Sequence, residues 1–519
     1  MLKLNSALQI ILKRESLVII TLVAISLISF WVAYSNDWIL IHTDAVGHLN
    51  TARKIDLGTP SGLGQLGGIW LPLQHLLLLP LVLFDPLYYT GIAGSIISMA
   101  SYLAASYFLY KLIYKYTKNF LASVIGTSVF ALNPNVLLYQ SAPMLELLFF
   151  ATTIVGIYFF SLWEEKGKYT DLAAAAFSLL LAAITRFEAW PIILFLSLVV
   201  VVKTFLKKKN FNFTQAHLMY FLTIAGSGVG LWLVFLTAIF EDPLFFVQSI
   251  YSPSAYVEAA RFGQIGGINL VSGVGQIIKV VFDVMVANSG IAAMYTGALG
   301  FVIFLLHKRF KTLAPYSLLI PAVFYMFLVY TGQLLIFFNV SESYQVRYGM
   351  FVLLPMGLFV GYLVNWRKIF AIWVIGLTLT SYSLMVTENN VATFNEAEQS
   401  FVTNSRESRL KESAYWLKEN YSGGRILMAL FLNEEIMFYS RIPTREFIHE
   451  GSQDLFNKAL KNPEHEVDWV ITGVDNNNVL TDIVNKEINK QNLNKFFHLS
   501  YEDGYTRIYD LTDRKVVAK

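Results

Sequence analysis

The stretch Ser16–Tyr34 reads SLVIITLVAISLISFWVAY and contains no charged residue. A helix of about 20 apolar residues crosses a bilayer core about 30 Å thick. Lys13 and Arg14 precede the stretch, and no small-residue cleavage site follows it. It therefore predicts a retained transmembrane helix rather than a cleaved signal peptide. Because basic residues collect on the cytoplasmic side, we expect the N-terminus in the cytoplasm.

Apolar runs of similar length recur along the chain as far as Val386. Of the 519 residues, 55% are hydrophobic and 14% are charged, whereas soluble domains carry about 25% charge. The composition excludes disordered, collagen-like and ordinary soluble proteins, and neither half resembles a nucleic-acid binder. We predict about eleven crossings: Ser16–Tyr34, Tyr88–Tyr110, Asn119–Leu138, Met144–Trp163, Thr170–Thr185, Ala189–Phe205, Ala216–Phe240, Ser289–Leu306, Ala314–Gly332, Tyr348–Val364 and Ile369–Val386.

The basic residues support this alternation of sides. With the N-terminus inside, 17 Lys and Arg residues of the membrane part lie on the cytoplasmic side and six lie outside. This is the asymmetry expected of a correct topology. The run Leu71–Phe84 is apolar but short and contains two prolines, and counting it as a crossing would invert every later loop. We interpret it as an interfacial or re-entrant segment of the first outer loop, residues 35–87.

An odd number of crossings places the tail outside the cytoplasm. We divide the chain into a membrane domain, residues 1–387, and an extracytoplasmic α/β domain, residues 388–519. No glycine fingerprint of a nucleotide site follows the tail's strands. Since the chain has no cysteine, we expect no disulfides, in keeping with a prokaryotic plasma membrane. The predicted tail elements are a helix near Arg409–Glu419, a strand at Arg425–Ala429, a helix from Asn433, and strands at Asp468–Thr472 and near Arg507–Tyr509.

Charged residues within or beside membrane spans are costly, so each is a candidate for function. On this topology the unusual ones gather on the outer face. They are Asp44 and His48 in the first outer loop, Glu146 at the start of the fourth span, Arg186 and Glu188 in the turn between the fifth and sixth, and Arg347, three residues after Tyr344, before the tenth. The outer loop 241–288 is long enough to act as a lid.

Each of these features also has a simpler interpretation. Asp44 or Thr43 suits the N-cap of a helix. The pair in TRFE, Thr185–Glu188, is typical of a local ion pair that closes a helical hairpin. Arg347 is placed to snorkel to the interface among aromatic residues. A metal site of His42, Asp44 and His48 has no recognised ligand spacing, so we favour a site without a metal and keep a divalent cation as the alternative.

Such a set of residues fits one chemistry in particular. A carboxylate near the membrane surface can accept a proton from a hydroxyl group. Guanidinium groups bind phosphate through two parallel hydrogen bonds and stay charged. We therefore expect a phosphate leaving group whose lipid tail lies between helices.

The order of the motifs resembles the GT-C class of polytopic glycosyltransferases. An aspartate in TDAVGH is followed by WLPLQHLLLLP, then by NP and Glu146, then by TRFE, each after alternate spans. Within this class the chain is similar to the protein O-mannosyltransferase and aminoarabinose-transferase-like group. The resemblance covers roughly residues 16–387. Many relatives have two adjacent acidic residues where TDAVGH has one, which weakens the case for a metal bridged by a carboxylate pair.

The resemblance implies an inverting transfer of sugar from a polyprenyl-phosphate donor to an acceptor hydroxyl at the outer face of the membrane. It assigns the general base to Asp44. It implies donor-phosphate contacts for Arg186 and Arg347. Glu146, Glu188, His48 and Tyr344 are then expected to orient the substrates.

The expected partners are a polyprenyl-phosphate-linked sugar, a protein, lipid or glycan acceptor, and membrane lipids, with no nucleic acid. The alternative function is a membrane transporter or lipid flippase. Transport would favour ionisable residues at mid-bilayer on broken helices in two repeated halves. A non-catalytic scaffold would leave Glu146, TRFE and Arg347 without a purpose.

Overall fold

The computed structural model describes residues 6–261, 271, 273–338, 343–399, 406–431, 433–474 and 482–512. Helices account for most of these residues. In chain order they are α1 (Ser6–Ser35), α2 (Thr43–Leu57), α3 (Leu73–Val82), α4 (Asp85–Tyr89), α5 (Ile92–Thr117), α6 (Phe120–Ala131), α7 (Pro134–Tyr139), α8 (Glu146–Lys166), α9 (Tyr169–Ala183), α10 (Ala189–Lys208), α11 (Phe211–Ala225), α12 (Ser227–Phe240), α13 (Phe245–Gln248), α14 (Pro253–Arg261), α15 (Val274–Ser289), α16 (Ile291–Lys308), α17 (Ile320–Tyr330), α18 (Leu353–Trp366), α19 (Phe370–Thr387), α20 (Ala392–Gln399), α21 (Arg406–Asn420), α22 (Glu434–Ser440), α23 (Asp454–Lys461), α24 (Pro463–Glu466), α25 (Ile483–Glu487) and α26 (Lys490–Phe496).

The described strands form two sheets. A two-stranded antiparallel sheet joins β1 and β2, and a five-stranded sheet has the order β4-β3-β5-β7-β6. Strands β3, β4 and β5 run parallel, whereas β7 pairs antiparallel with both β5 and β6. The strand bounds are β1 (Phe337–Phe338), β2 (Ser343–Tyr344), β3 (Ile426–Met428), β4 (Phe447–Ile448), β5 (Trp469–Gly473), β6 (Phe497–Glu502) and β7 (Thr506–Leu511).

The chain divides into two compact units, each built from three stretches of sequence. We call the first the membrane unit; it comprises Met1–Ile39, Ser95–Phe235 and Val271–Glu396. The second, the sheet unit, comprises Leu40–Gly94, Leu236–Leu270 and Ala397–Lys519. The sheet unit therefore combines the first predicted outer loop with the C-terminal tail. The domain boundary at residue 387 stays a prediction.

Long apolar helices confirm a polytopic membrane protein. Within the described residues, seven helices are long and apolar enough to cross a membrane, and eight if α11 and α12, bent by 47° at their junction, form one span. Three further predicted crossings coincide with the shorter helices α6, α9 and α17. The total of eleven stays a prediction. Helix α3 has ten residues, which extend about 15 Å, so it is too short to cross the bilayer by itself.

Glycines bring α6 and α18 together until their backbones touch. A Cβ on Gly126 would collide with the carbonyl of Gly357 and lie 2.9 Å from the Cα of Gly361. A Cβ on Gly361 would in turn lie 2.9 Å from the carbonyl of Ala122. Small residues allow such close approach between helices in lipid, where packing rather than the hydrophobic effect holds helices together.

The C-terminal sheet domain, β3–β7 with α21–α26, is a three-layer α/β structure. Successive residues of β3 point to opposite faces of the sheet: Ile426 and Met428 join one apolar cluster, and Leu427 joins the other. Helices α21 and α22 cover the first face, and α23, α25 and α26 cover the second. This confirms the predicted α/β tail and its helices and strands, and adds the short strand β4 and the strand β6.

The predicted outer loop 241–288 contains more regular structure than a loop. Helices α13 and α14 occupy two parts of it, and α15 begins at Val274 and continues to Ser289. The prediction of a loop is therefore wrong for residues 274–288. Residues 262–270 and 272 lie outside the described residues, and the action of the segment as a lid stays a prediction.

Candidate active site

Two carboxylates and one guanidinium meet in the membrane unit. Arg186 Nη1 lies 2.8 Å from Glu146 Oε1, and Arg186 Nη2 lies 2.8 Å from Glu188 Oε1. Arg186 Nε also donates to Glu188 Oε1 at 3.0 Å. The arginine side chain is 10% exposed and each carboxylate side chain 5%. Removing one partner of such a buried pair leaves an uncompensated charge, which is strongly destabilising.

The helices explain why these carboxylates are tolerated here. Glu146 is the first residue of α8, and Glu188 directly precedes α10. The N-terminus of a helix favours negative charge because its unpaired N–H groups carry a partial positive charge. Arg186 lies in the turn between α9 and α10, as the sequence predicted. The local ion pair with Glu188 is present, and the arginine additionally reaches the more distant Glu146.

Arg186 keeps hydrogen-bonding capacity beyond these pairs. A guanidinium has five N–H donors, and the three bonds to Glu146 and Glu188 use three of them. Burial acts to lower the pKa of Arg186, but the carboxylates of Glu188 and Glu146 outweigh it and raise that pKa well above its ordinary value. Its positive charge is therefore permanent.

Two tyrosine side chains, Tyr325 and Tyr348, pack against the cluster. The Tyr325 hydroxyl donates to Glu188 Oε1 at 2.5 Å. The Tyr348 ring lies 5.0 Å from the guanidinium carbon of Arg186 and 6.0 Å from that of Arg347, and it packs edge-on against Tyr325. Sequence reasoning missed Tyr325, since it lies in an apolar run and carries no charge.

Arg347 approaches the same carboxylate from another segment. Its Nε lies 3.7 Å from Glu146 Oε1, and its side chain is 9% exposed. The interpretation of Arg347 as a snorkelling residue is therefore wrong, because the side chain turns inward to a charged partner. Together, Glu146, Arg186, Glu188 and Arg347 balance two positive and two negative charges.

The main chain before Arg347 is held from two sides. Gln345 adopts the left-handed conformation with φ of 57°. Its N–H donates to one oxygen of Glu396 at 2.6 Å, and the N–H of Arg347 donates to the other at 3.3 Å. On the other side, Asn288 Nδ2 donates to the carbonyl of Val346 at 2.7 Å. Sequence reasoning missed Glu396, whose only signal is an acidic residue shortly after the last span.

The NP motif has a structural role in this arrangement. Asn133 and Asn135 both donate their side-chain amides to the carbonyl of Asn288, at 2.8 and 3.1 Å. Asn135 Oδ1 also accepts from the N–H and the hydroxyl of Thr393. The motif therefore connects the start of α7 to the residue that supports the Arg347 turn and to the chain after the last span.

Asp44 and His48 lie on α2, in the sheet unit. The N-cap is His42, whose Nδ1 accepts from the N–H of Asp44 at 3.2 Å. Capping by Asp44 or Thr43 is therefore a wrong prediction, and half-buried Asp44 lies in the first turn instead. His48 Nδ1 lies 3.1 Å from His75 Nε2. The ring of Trp70 lies 4.2 Å from the His48 ring.

The structure thus brings the predicted residues together in two sets. Glu146, Arg186, Glu188 and Arg347 form one cluster, while Asp44 and His48 share one helix. Tyr344 is half-buried on β2, and its predicted contact with substrate stays a prediction. So does the convergence of the two sets at one membrane surface. The described residues include no group of three or more His, Asp or Glu placed to hold a metal ion.

Comparison with known proteins identifies the fold. No family model and no curated protein matches the chain, but solved structures do. ArnT from Cupriavidus metallidurans, in the apo state, aligns with a TM-score of 0.55 and 13% identity over 94% of this chain and 97% of that one. The Archaeoglobus fulgidus oligosaccharyltransferase, in complex with Zn and sulfate, gives 0.47 and 12%, covering 94% and 73%.

A second archaeal structure aligns less well. The oligosaccharyltransferase AglB from Archaeoglobus fulgidus, in complex with an inhibitory peptide and a dolichol-phosphate, gives a TM-score of 0.44 and 13% identity, covering 87% and 69%. The likeness to ArnT extends over nearly the whole of both chains. The protein therefore has the fold of the GT-C class of polytopic glycosyltransferases, as its sequence motifs predicted.

Proposed function

We propose that this protein is an inverting glycosyltransferase that moves a sugar from a polyprenyl-phosphate donor to an acceptor hydroxyl. The observation that supports this proposal most is the buried cluster of Glu146, Arg186, Glu188 and Arg347 within a GT-C fold. Buried guanidinium groups bind phosphate strongly because water does not screen them. Arg186 and Arg347 come from separate segments of the chain, and both guanidinium groups approach the carboxylate of Glu146.

The proposed reaction is a single displacement. The Asp44 carboxylate accepts the proton of the acceptor hydroxyl as its oxygen bonds to the anomeric carbon of the sugar. The bond from that carbon to the phosphate oxygen breaks, and polyprenyl phosphate leaves with the electron pair. Because the acceptor attacks opposite the leaving group, the configuration inverts, and one carboxylate suffices as base.

The two arginines are assigned to the leaving phosphate. Arg347 reaches Glu146 only at 3.7 Å, so its guanidinium is not fixed by a close ion pair with this carboxylate. Arg186 has two N–H donors beyond its three bonds to carboxylates, enough for a bidentate phosphate contact. Glu146 and Glu188 hold Arg186 and, with His48 and Tyr344, orient donor and acceptor.

The proposed setting is the plasma membrane of a prokaryote. The N-terminus lies in the cytoplasm, and the site and the C-terminal sheet domain lie outside. The partners are a polyprenyl-phosphate-linked sugar and a protein, lipid or glycan acceptor. Mass spectrometry of envelope glycans and glycoproteins from cells with and without the gene identifies the sugar and the acceptor.

The decisive variant is Asp44→Asn, assayed in proteoliposomes with the donor so identified. General-base catalysis contributes typically 10²–10⁴-fold, so we expect transfer to fall by about 10³-fold while polyprenyl-phosphate binding stays unchanged. Asp56→Asn is the matched control, since Asp56 is an exposed aspartate on the same helix. Normal turnover by Asp44→Asn would refute the assignment. Movement of unaltered lipid across the bilayer without transfer would instead support a flippase.

A further inference from the structure

Helix α2 presents one face to α22 of the C-terminal sheet domain. Gly47, Asn50 and Lys54 lie three and four residues apart, so they share this face. All three are buried. Asp44 lies in the first turn of the same helix, so the contacts of this face also position the main chain from which the Asp44 carboxylate extends.

Asn50 makes two hydrogen bonds that leave it no alternative orientation. Its Nδ2 donates to the main-chain carbonyl of Glu434, the first residue of α22, at 2.9 Å. Its Oδ1 accepts from the hydroxyl of Tyr88. Asn50 is fully buried. A buried amide that loses its partners costs about 1–3 kcal/mol per unsatisfied group, so this contact specifies one position of α2.

Gly47 allows the close approach that this contact requires. A Cβ at Gly47 would lie 2.8 Å from the ring of Trp70 and 3.8 Å from Glu434 Cγ. The first distance is below any normal contact, so a larger residue would force α2 away from its neighbours. The helix is thus fitted to this location by shape as well as by hydrogen bonds.

Lys54 adds a charge to the same face. It is 9% exposed, and the carboxylates of Glu434 and Glu450 attract its ammonium group. Burial lowers the pKa of Lys54 in spite of that attraction. Glu450 is itself fixed, because it accepts from the main-chain N–H of Leu430, two residues after β3, at 2.9 Å. The sheet therefore supplies a carboxylate at a defined place for the lysine.

The chain that follows α2 is tied to the same domain. The Thr59 hydroxyl donates to the carbonyl of Arg445 at 2.8 Å, and Gln65 Nε2 donates to that of Gly451 at 3.1 Å. Main-chain carbonyls are acceptors whose positions depend on the fold rather than on side-chain rotamers. The C-terminal sheet domain thus contacts α2 and its continuation through rigid elements.

We propose that Asn50 and Lys54 are positioning residues, through which the C-terminal sheet domain sets the orientation of α2 and hence of Asp44. This inference rests on the proposed role of Asp44 as general base. Six residues of helix separate Asp44 from Asn50, a rise of about 9 Å, so a small tilt at Asn50 moves the carboxylate. A displacement of about 1 Å can cost about 10²-fold in rate. The C-terminal domain is then part of the catalytic apparatus.

The experiment compares Asn50→Leu and Lys54→Met with Lys54→Arg, all in the full chain in detergent or proteoliposomes. Hydrogen exchange of residues 43–57, which needs no substrate, reports on the helix. Transfer kinetics report on Asp44. We expect exchange in this segment to rise about 10-fold and kcat to fall by about 10- to 100-fold with donor KM unchanged, because α2 loosens while the phosphate site is intact. Lys54→Arg keeps the charge and restores most of kcat.

Lys495→Met is the control, since Lys495 is an exposed lysine on α26 of the same domain. Unchanged exchange and unchanged kcat in Asn50→Leu overturn the inference, as does a loss of kcat without faster exchange. If Asn50→Leu does not fold, the pair Lys54→Met and Lys54→Arg decides by the same two measurements. If exchange becomes faster in these variants but the wild-type protein transfers no sugar from any polyprenyl donor, the result supports the attachment of α2 to the C-terminal sheet domain. It then refutes the proposed function.

Discussion

Two turns of the membrane unit carry an arginine toward Glu146, and they are built in different ways. In the turn Thr185–Glu188, the carboxylates of Glu146 and Glu188 each form an ion pair with the guanidinium of Arg186 at 2.8 Å. In Gln345–Arg347, the carboxylate of Glu396 instead binds the main chain, and the guanidinium of Arg347 reaches Glu146 only at 3.7 Å. An acidic residue fixes the side chain in one turn and the backbone in the other.

The difference separates two uses of a buried arginine. A guanidinium held by two carboxylates is part of the fold, because removing it takes the close ion-pair partner from two buried carboxylates. The main chain of the Arg347 turn is held by Glu396 independently of the guanidinium, so replacing the Arg347 side chain leaves these main-chain contacts in place. We therefore expect Arg186 to contribute more to stability and Arg347 more to donor binding.

The largest expected effect is that of Arg186→Met on stability. Loss of one partner from a buried ion pair costs about 3–5 kcal/mol, so the temperature of unfolding in detergent should fall steeply. Adding Glu188→Gln to this variant should recover part of the loss, since it removes one uncompensated charge. Arg367→Met, at an exposed arginine, serves as the control. A decrease no larger than the control's would show that Arg186 is not part of the fold.

Arg347→Met should weaken donor binding more than it weakens the fold. Hydrogen bonds to charged groups contribute about 1.5–3 kcal/mol, which corresponds to about 10- to 150-fold in affinity for polyprenyl phosphate. Titration with the lipid phosphate measures this, and thermal unfolding measures the stability of the same sample. If Arg347→Met unfolds as readily as Arg186→Met and binds lipid phosphate normally, the contrast between the two turns fails.

Glu396→Ala should weaken donor binding indirectly, because Glu396 holds the main chain of the Arg347 turn. Two main-chain N–H groups lose their acceptor, so we expect donor KM to rise by about 10-fold, equivalent to about 1.4 kcal/mol. Glu396→Gln retains one oxygen acceptor and should lie between Ala and wild type. The control is Glu398→Ala, two residues along and exposed. A normal donor KM in Glu396→Ala would mean that the turn keeps its shape without this carboxylate.

Lowering the pH should destabilise the sheet unit and leave the two arginine turns unaffected. This is the smallest of the four effects that we expect on binding or stability. Burial lowers the pKa of His449 well below its ordinary value, and the charge of Lys54 lowers it further. As pH falls below about 6.5, the unfolded chain takes up this proton first, so stability is lost by up to about 1.4 kcal/mol per pH unit. Arginines do not titrate in this range.

Hydrogen exchange of β3 and β5 between pH 7.5 and 5.5 measures this loss. In His449→Asn the dependence on pH should flatten, because asparagine retains an acceptor for the N–H of Gly451 and binds no proton. His465→Asn is the control, since that side chain is 65% exposed. An unaltered pH dependence in His449→Asn would assign the acid sensitivity to other groups.

Much of this fold follows from the sequence because its signals are local. The interruptions that precede Glu146 and surround Arg186 predict where α8 and α10 begin, and the structure places those starts within a residue or two. Short elements escape such reasoning: β4 has two residues, too few for a pattern of alternation. In α15, Lys279 and Asp283 interrupt the apolar run along the sequence, although they pair with each other on the more exposed side of the helix and leave its buried face apolar.

The candidate site is predictable only in part, for a related reason. Glu146, Arg186 and Arg347 are visible as charges in apolar surroundings, and they do meet. Glu396 looks like any acidic residue of a linker, since its bond to the backbone 49 positions earlier has no counterpart in local sequence. From the sequence, Asn50 is indistinguishable from any polar residue of an interfacial helix, because its hydrogen-bond acceptor, the carbonyl of Glu434, is distant along the chain.

The contact between α6 and α18 limits how this protein can change over time. At Gly126 and Gly361 even one added methyl group collides with main-chain atoms, which have no rotamer to escape into. Neighbouring apolar side chains can interchange at small cost. A library of random variants selected for function should therefore retain glycine at these two positions, while the surrounding leucines and valines diversify. Retained glycine at both positions would show that function requires the close contact between α6 and α18.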